Sequence, residues 1–262
     1  LIKLVTFNIR YDEPNDGIHA WPLRRQRAIN YLLSGNFDII CLQEVTPGQR
    51  LQLDQALSQH YEVFGRGRNA DGQGEQCPIY WRRGRFSLEA SKVWWLCSHP
   101  DQPGSRTWEG INDQQDGPPW LPRIVTEVQL KVGAQPFRVI NTHFDHQLPN
   151  IRSLSAQMIR DRYQAAGPLI VTGDFNGQPG EGCVEVFESW MQNANRLHAG
   201  QLPITWHEFK GSKWPEGQHI DFVFASNEWA IEAYQVENSS DGPPSTPYLS
   251  DHFPVEATLS LA

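Results

Sequence analysis

Residues 168–176 read PLIVTGDFN. Leu169 to Thr172 form a short unbroken apolar and β-branched run, which predicts a buried strand over 168–173. Gly173 then permits a tight turn, and Asp174 and Asn176 follow with a carboxylate and an amide two residues apart. An ordinary Asx-turn accounts for that pair as well as a functional role does. The stretch therefore predicts a strand that ends in polar, chemistry-bearing residues.

The same design recurs on both sides of it. LIKLVTFNI (1–9) is a buried strand ending at Asn8, and DIICLQEV (38–45) is a second ending at Glu44. A helix is expected over 22–34, with Pro22 in its first turn and Gly35 as its stop. Thr46-Pro47 opens another, reaching about Ser58. Runs at 61–65, 78–83 and 86–96, rich in aromatic and β-branched residues, read as successive antiparallel strands. Residues 97–122, crowded with Pro, Gly, Asp and Trp, read as one long loop, which in a compact domain points to function. Strands are expected at 123–132 and 136–142, helices near 150–165 and 183–192, and closing strands near 219–225, 229–236 and 254–261. No repeat and no linker divides the pattern, so residues 1–262 are expected to form one α/β domain.

Bulk properties narrow the function. Of 262 residues, 39% are hydrophobic and 20% charged, the composition of a chain able to bury a large core. No apolar stretch is long enough to span a bilayer. The chain starts directly on a strand, with no signal peptide ahead of it; a trimmed leader would leave the same start, so the compartment stays open, the cytoplasm slightly favoured over a secreted or periplasmic location. A net charge of −8 argues against long, nonspecific polyanion binding, which calls for a basic face. Cys41, Cys77, Cys97 and Cys183 lack paired metal-ligand spacing, which speaks against thiolate zinc, and Cys41 reads as a buried small hydrophobe.

Polar residues gather where strands end: Asn8, Glu44, His143, Asp174 with Asn176, Asp221, and Asp251-His252. Each alone has a bland explanation, a turn former for Asn8 and a structural ion pair for Glu44. A carboxylate after apolar residues must be paired, hydrogen-bonded or cation-bound. His143, in NTHFDH, has Asp145 and His146 beside it. Adjacent residues of extended chain point to different sides, so Asp251 and His252 can serve different partners. Hard oxygen donors without thiolates suit Mg²⁺ or Mn²⁺. No phosphate-binding loop, dinucleotide fingerprint or nucleophile elbow is present. Phosphoester hydrolysis by activated water fits best.

In this order, FNIR (7–10), LQEV (42–45), NTHFDH (141–146), GDFN (173–176), HIDFVF (219–224) and SDHFPV (250–255) resemble the endonuclease/exonuclease/phosphatase superfamily. It includes pancreatic-type deoxyribonuclease, apurinic endonucleases, neutral sphingomyelinases, inositol polyphosphate 5-phosphatases and poly(A)-removing nucleases. FNIRYD, PGSRTW, NTHFDH and TWHEFKG most resemble a bacterial branch related to the poly(A)-nuclease group. The resemblance implies a four-layer sandwich of two packed mixed β-sheets flanked by helices. It implies metal ligation by Glu44 with Asn8 and Asp251, and His252 oriented by Asp221. Asp174 and Asn176 would position water and phosphoryl oxygens, and His143 would contact phosphate. Whether Asp174 or His252 is the base is left open. Glu75 resembles the Glu that supports the first catalytic His in deoxyribonuclease-like members. Arg10 stands where apurinic endonucleases place an acidic residue, which weakens an abasic-site reading.

Three functions compete. The first, and the one the sequence favours, is a phosphodiesterase of nucleic acid or nucleotides. The second is a phosphatase or phosphodiesterase of a small sugar, inositol or lipid phosphate, which a closed pocket without a basic face would favour. The third is an inert binding module on the same scaffold, against which Glu44, Asp174 and His252 all speak. Arg123 can pair with substrate phosphate, with a surface ion pair as its ordinary explanation. Trp108, Trp120, Trp206 and Trp214 can wall a base or sugar or equally serve as core packing and loop anchors. No protein partner is readable.

Overall fold

The computed structural model describes residues 1–111, 121–239 and 246–261. Two six-stranded sheets face one another. The first has the spatial order β11 (Trp229–Val236), β12 (Val255–Leu261), β1 (Ile2–Asn8), β2 (Ile39–Gln43), β4 (Ile79–Arg82), β3 (Tyr61–Phe64). The second runs β5 (Ser87–Trp95), β6 (Ile124–Val132), β7 (Gln135–His143), β8 (Leu169–Asp174), β10 (Asp221–Ala225), β9 (Gln192–Asn193). Each sheet is mixed: β1 and β2 are parallel in one, β7 and β8 in the other, and the remaining neighbours are antiparallel. The parallel pairs are bridged by helices, α1 (Trp21–Ser34) and α3 (Pro149–Tyr163), as a parallel crossover requires. With α2 (Pro47–Leu57) and α4 (Gly182–Glu188) they form the two outer layers.

Alternation along the strands builds three main cores, beside a small fourth cluster of Cys77, Trp95, Cys97 and Ile124. Ile2, Leu4, Ile39, Cys41, Val139, Ile170 and Val223 point between the sheets. Val5, Phe7, Ile40 and Leu42 pack outward with Trp21, Ile29 and Leu53 of the helices on the first sheet. Ile140, Val171, Phe222 and Phe224 pack outward with Ile159, Val184 and Phe187 on the second. Both faces of the central strands are dry, hence their unbroken apolar runs.

Start signals behave as expected. Thr46 caps α2 in a capping box with Gln49, and Pro22 sits in the first turn of α1. Gly35 ends α1 for a different reason than a left-handed stop: its φ is −65°, and a Cβ there would meet the Phe37 ring at 2.1 Å. The helix expected over 183–192 stops at Glu188, because Gln192–Asn193 peel away to pair with β10 as an edge strand. A short 3₁₀ segment, Pro14–His19, precedes α1 and was not expected. Among the described residues no helix is long and apolar enough to cross a membrane.

Candidate active site

Along the inter-sheet face each central strand changes from apolar to polar toward one end of the sandwich. On β1 the inward residues run Ile2, Leu4, Thr6, Asn8; on β2, Ile39, Cys41, Gln43. On β7 they run Phe137, Val139, Asn141, His143, and on β8, Ile170, Thr172, Asp174. β10 runs the opposite way, so its polar residue is its first, Asp221. In register, His143 pairs with Asp174 and Asp174 with Asp221, one row across three strands. Asn8 and Glu44 face this row from the other sheet.

An intermediate polar layer separates this row from the apolar core. Thr6, Gln43, Asn141 and Thr172 are fully buried. Gln43 Nε2 donates to Thr6 Oγ1 at 3.0 Å and to Asn141 Oδ1 at 2.6 Å. Asn141 Nδ2 in turn donates to the carbonyls of Leu42 and Pro78 at 2.8 and 3.1 Å. Asn141 thus ties the second sheet to the first directly beneath the site.

Asn8 Nδ2 donates to Glu44 Oε1 at 3.1 Å and to Asp174 Oδ2 at 2.9 Å. Glu44 Oε2 also accepts from the Tyr11 amide at 3.0 Å. Asp174 Oδ2 lies 3.4 Å from His143 Nε2 and 3.7 Å from His252 Nε2, while its Oδ1 accepts from the Asn176 amide at 2.9 Å. Asn176 Nδ2 donates to the Phe144 carbonyl at 3.1 Å. His252 Nδ1 meets Asp221 Oδ2 at 2.8 Å. The ligand atoms of Glu44, His143 and Asp174 lie within 4.8 Å of one another, as do those of Asp174, Asp221 and His252. Asp251 lines the same cleft but stands outside both groups, its Oδ1 accepting from Ser250 at 3.1 Å.

Burial and then the neighbouring Asp221 raise the Asp174 carboxyl above its ordinary range. Burial alone would depress His252, but Asp221, Asp251 and Asp174 outweigh it and push its pKa up to about 10. Burial, reinforced by Arg123 and Arg68, holds His143 well below the usual imidazole value. Burial pushes the neighbouring Cys77 thiol up and keeps it protonated, so the buried, crowded carboxylates form an oxygen-rich donor set that suits a hard divalent cation.

These residues open into a cleft of about 610 Å³. Three arginines line it. Arg10 forms a two-bond pair with Asp16, both at 3.1 Å, and Arg68 pairs with both oxygens of Glu75 at 2.8 and 2.9 Å. Glu75 is therefore in the cleft, but its carboxylate is engaged by Arg68 and not by His143, contrary to the resemblance. The reason is Arg68, which pairs back across the turn that leads to Glu75 and which nothing in the sequence marks. Arg123 is 6% exposed and its Nη2 meets His146 Nδ1 at 3.0 Å. Its Nε has no hydrogen-bond partner among the described residues, with Asp145 3.9 Å away.

Trp206 lines the cleft beside Gln218 and Ile220. Trp214 instead packs edge-on to Trp206 at 5.2 Å, Trp108 packs on the outer core of the second sheet, and Trp120 lies outside the described residues. All four cysteines are buried and free.

The family model described as "Endonuclease/Exonuclease/phosphatase family" matches residues 5–252. In structure the chain is similar to an endonuclease/exonuclease/phosphatase from Bacteroides vulgatus, at 29% identity and TM-score 0.87, covering 100% of this chain and 99% of that one. A mannosyl-6-phosphatase from Bacteroides thetaiotaomicron is similar at 25% identity and TM-score 0.87, covering 100% of each chain. The human Nocturnin catalytic domain shares the fold at 21% identity and TM-score 0.74, over 100% of this chain and 93% of that one. No curated protein matches the sequence.

Proposed function

This chain belongs to the endonuclease/exonuclease/phosphatase family and is a metal-dependent phosphoester hydrolase, and from that premise we propose that its substrate is a phosphate monoester of a small polar molecule, a sugar phosphate foremost. One observation carries the reading: the cleft that holds the carboxylate–histidine row also holds a buried arginine, Arg123, whose Nε makes no hydrogen bond among the described residues and stands 3.9 Å from Asp145. Arg10 and Arg68 are already engaged by carboxylates. A monoester presents a dianionic phosphoryl group, and a dry guanidinium is a strong partner for it. A nucleic-acid backbone instead favours a run of cations along a surface, and the chain carries a net charge of −8. The similarity to a mannosyl-6-phosphatase supports the same choice. Trp206 offers a flat apolar face to a sugar ring.

In this reading Glu44, with Asn8 and Asp251, holds Mg²⁺ or Mn²⁺. When bound, the ion supplies charge neutralisation at the phosphoryl group and the leaving oxygen. Asp174, raised by burial and by Asp221, takes the proton of the attacking water as the phosphorus–oxygen ester bond breaks. His252 stays cationic beside Asp221 and, with Asn176, His143 and Arg123, donates to the phosphoryl oxygens.

The test is hydrolysis by purified protein with Mg²⁺, Mn²⁺ or chelator, comparing hexose 6-phosphates and p-nitrophenyl phosphate with bis(p-nitrophenyl) phosphate, single-stranded RNA and DNA. Chelator-sensitive release of inorganic phosphate is expected, with kcat/KM highest on a monoester. Faster turnover of a diester or of nucleic acid would refute the monoester reading. His252→Ala, the control for contaminating hydrolases, should lower kcat by about 10² or more.

A further inference from the structure

Arg24, on α1, is 0% exposed, and among the described residues no carboxylate pairs with it within salt-bridge distance. Its guanidinium donates only to backbone carbonyls. Nε donates to His19 at 2.7 Å. Nη1 donates to Ile9 and, at 3.0 Å, to Leu249. Nη2 donates to Arg10 at 2.7 Å and to Tyr11 at 3.4 Å. The ring of Trp21 lies 5.0 Å from its Cζ. A cation buried without a counter-carboxylate is a poor source of stability, so its value lies in what it arranges.

What it arranges is the chain on both sides of the site. Carbonyls of three consecutive residues, Ile9, Arg10 and Tyr11, converge on one guanidinium, with Arg10 held at φ 57°, a conformation that non-glycine residues rarely take. That curl aims the Tyr11 amide at Glu44 Oε2 at 3.0 Å and the Arg10 amide at Asn8 Oδ1 at 2.9 Å. The Leu249 carbonyl fixes the chain two residues before Asp251. One planar fork therefore ties the loop after Asn8 to the approach to Asp251. A lysine ammonium, a point charge with three donors, cannot reproduce this set.

We infer that Arg24 is a positioning residue for the cation site: by gathering these carbonyls it sets Asn8, Glu44 and Asp251 for the metal, without touching metal or substrate. The inference rests on the reading that those three residues hold the ion. Its test is Mn²⁺ binding to the metal-free protein, by titration calorimetry and by the electron paramagnetic resonance of free Mn²⁺, for wild type, Arg24→Lys and Arg24→Met. Ile159→Ala, a cavity variant in the helical layer on the second sheet, is the control. Both Arg24 variants should bind Mn²⁺ more weakly, on the order of tenfold or more. The control should lose melting temperature yet bind as wild type does. Folded Arg24 variants with wild-type Mn²⁺ affinity would overturn the inference. If neither folds, Trp21→Leu, which withdraws the ring over the guanidinium, decides: weakened binding supports the inference and unchanged binding overturns it. A wild type that takes no Mn²⁺ sinks the metal reading itself, an outcome distinct from indifferent Arg24 variants beside a wild type that binds.

Discussion

Arg10, Glu44 and Asn176 all sit on left-handed backbone, at φ 57°, 61° and 48°. Such positions cost of order 1–3 kcal/mol each and persist only where the surroundings enforce them. At Glu44 this backbone points the carboxylate out of β2 toward Asn8 and the Tyr11 amide. Glu44→Gln keeps the shape and removes the charge, so the Mg²⁺ midpoint of activity should rise on the order of tenfold or more with melting temperature nearly unchanged. An unshifted metal titration would make Glu44 structural. Acid sensitivity has a residue-scale source too. His207 is fully buried, stacked on Phe253 at 3.9 Å. Burial, then the cationic His252, lowers its pKa to about 3. A depressed folded pKa means that stability is complete above the unfolded value near 6.5 and falls as pH drops toward the folded one, by about 1.4 kcal/mol per pH unit for one proton. His252, raised to about 10, acts oppositely: its contribution is complete below the unfolded value and is lost as pH rises. The raised Asp174 carboxyl acts in the same sense as His252, its contribution being lost as pH rises, so it offsets part of the His207 limb. His207→Phe should make metal-free protein lose less stability between pH 6.5 and 5 than wild type does. An equal slope in the variant would assign that limb to His143 and His219, which burial also depresses. Asn8, Glu44 and Asp174 were legible in the sequence because a polar residue ending an apolar run is conspicuous, and Asp221 because it opens one. Arg24 and Arg68 were not, since an arginine amid ordinary helix or loop residues looks solvated until its partners are known.

At the scale of elements, the strands were readable because both faces of the central ones are dry, leaving unbroken apolar runs with little to confuse them. Ends were less readable. The 183–192 segment has helix-compatible residues throughout, yet α4 stops at Glu188, whose Oε1 accepts from Asn193 Nδ2 at 2.9 Å. That edge pairing with β10 is a tertiary choice with no local signature. Strand β8 carries the clearest local constraint. Gly173 lies at φ 151°, and a Cβ there would stand 2.0 Å from the Thr142 carbonyl oxygen of β7. The turn residue read from GDFN is thus also a close-approach residue that lets His143 and Asp174 share one row. Gly173→Ala must push the two strands apart at that row. It should cost roughly 3 kcal/mol or more, a fall of about 6–12 °C in melting temperature at 2–4 °C per kcal/mol, with activity lost in the folded fraction. Wild-type melting and turnover would mean that β7 and β8 can separate without consequence.

Across the whole molecule, the two sheets each hold part of the site, so its geometry depends on how firmly they are joined. Most of that junction is apolar and nondirectional. Hydrophobic contacts hold sheets together but leave small sliding displacements cheap compared with hydrogen bonds of fixed direction. Beneath the Asn8–Asp174 bond of the site itself, a second directional tie is Asn141, which accepts from Gln43 and donates to the Leu42 and Pro78 carbonyls. Gln43 immediately precedes Glu44, and Asn141 stands two residues before His143 on the same strand face. Replacing Asn141 by Leu preserves much of its volume but removes one acceptor from the Gln43 amide, which keeps Thr6, and one donor each from the Leu42 and Pro78 carbonyls, of which Pro78 keeps the Leu42 amide at 3.1 Å. Buried groups deprived of partners cost about 1–3 kcal/mol each, so a loss of roughly 2–4 kcal/mol is expected. Val139→Ala, two residues earlier on that face, removes apolar contact from the same junction without touching the tie. If the tie sets the spacing between Glu44 and the His143–Asp174 row, Asn141→Leu should lower kcat at saturating Mg²⁺ well beyond any change in Val139→Ala at matched loss of melting temperature. Equal kcat in the two variants would mean that apolar packing alone fixes the distance between the halves of the site.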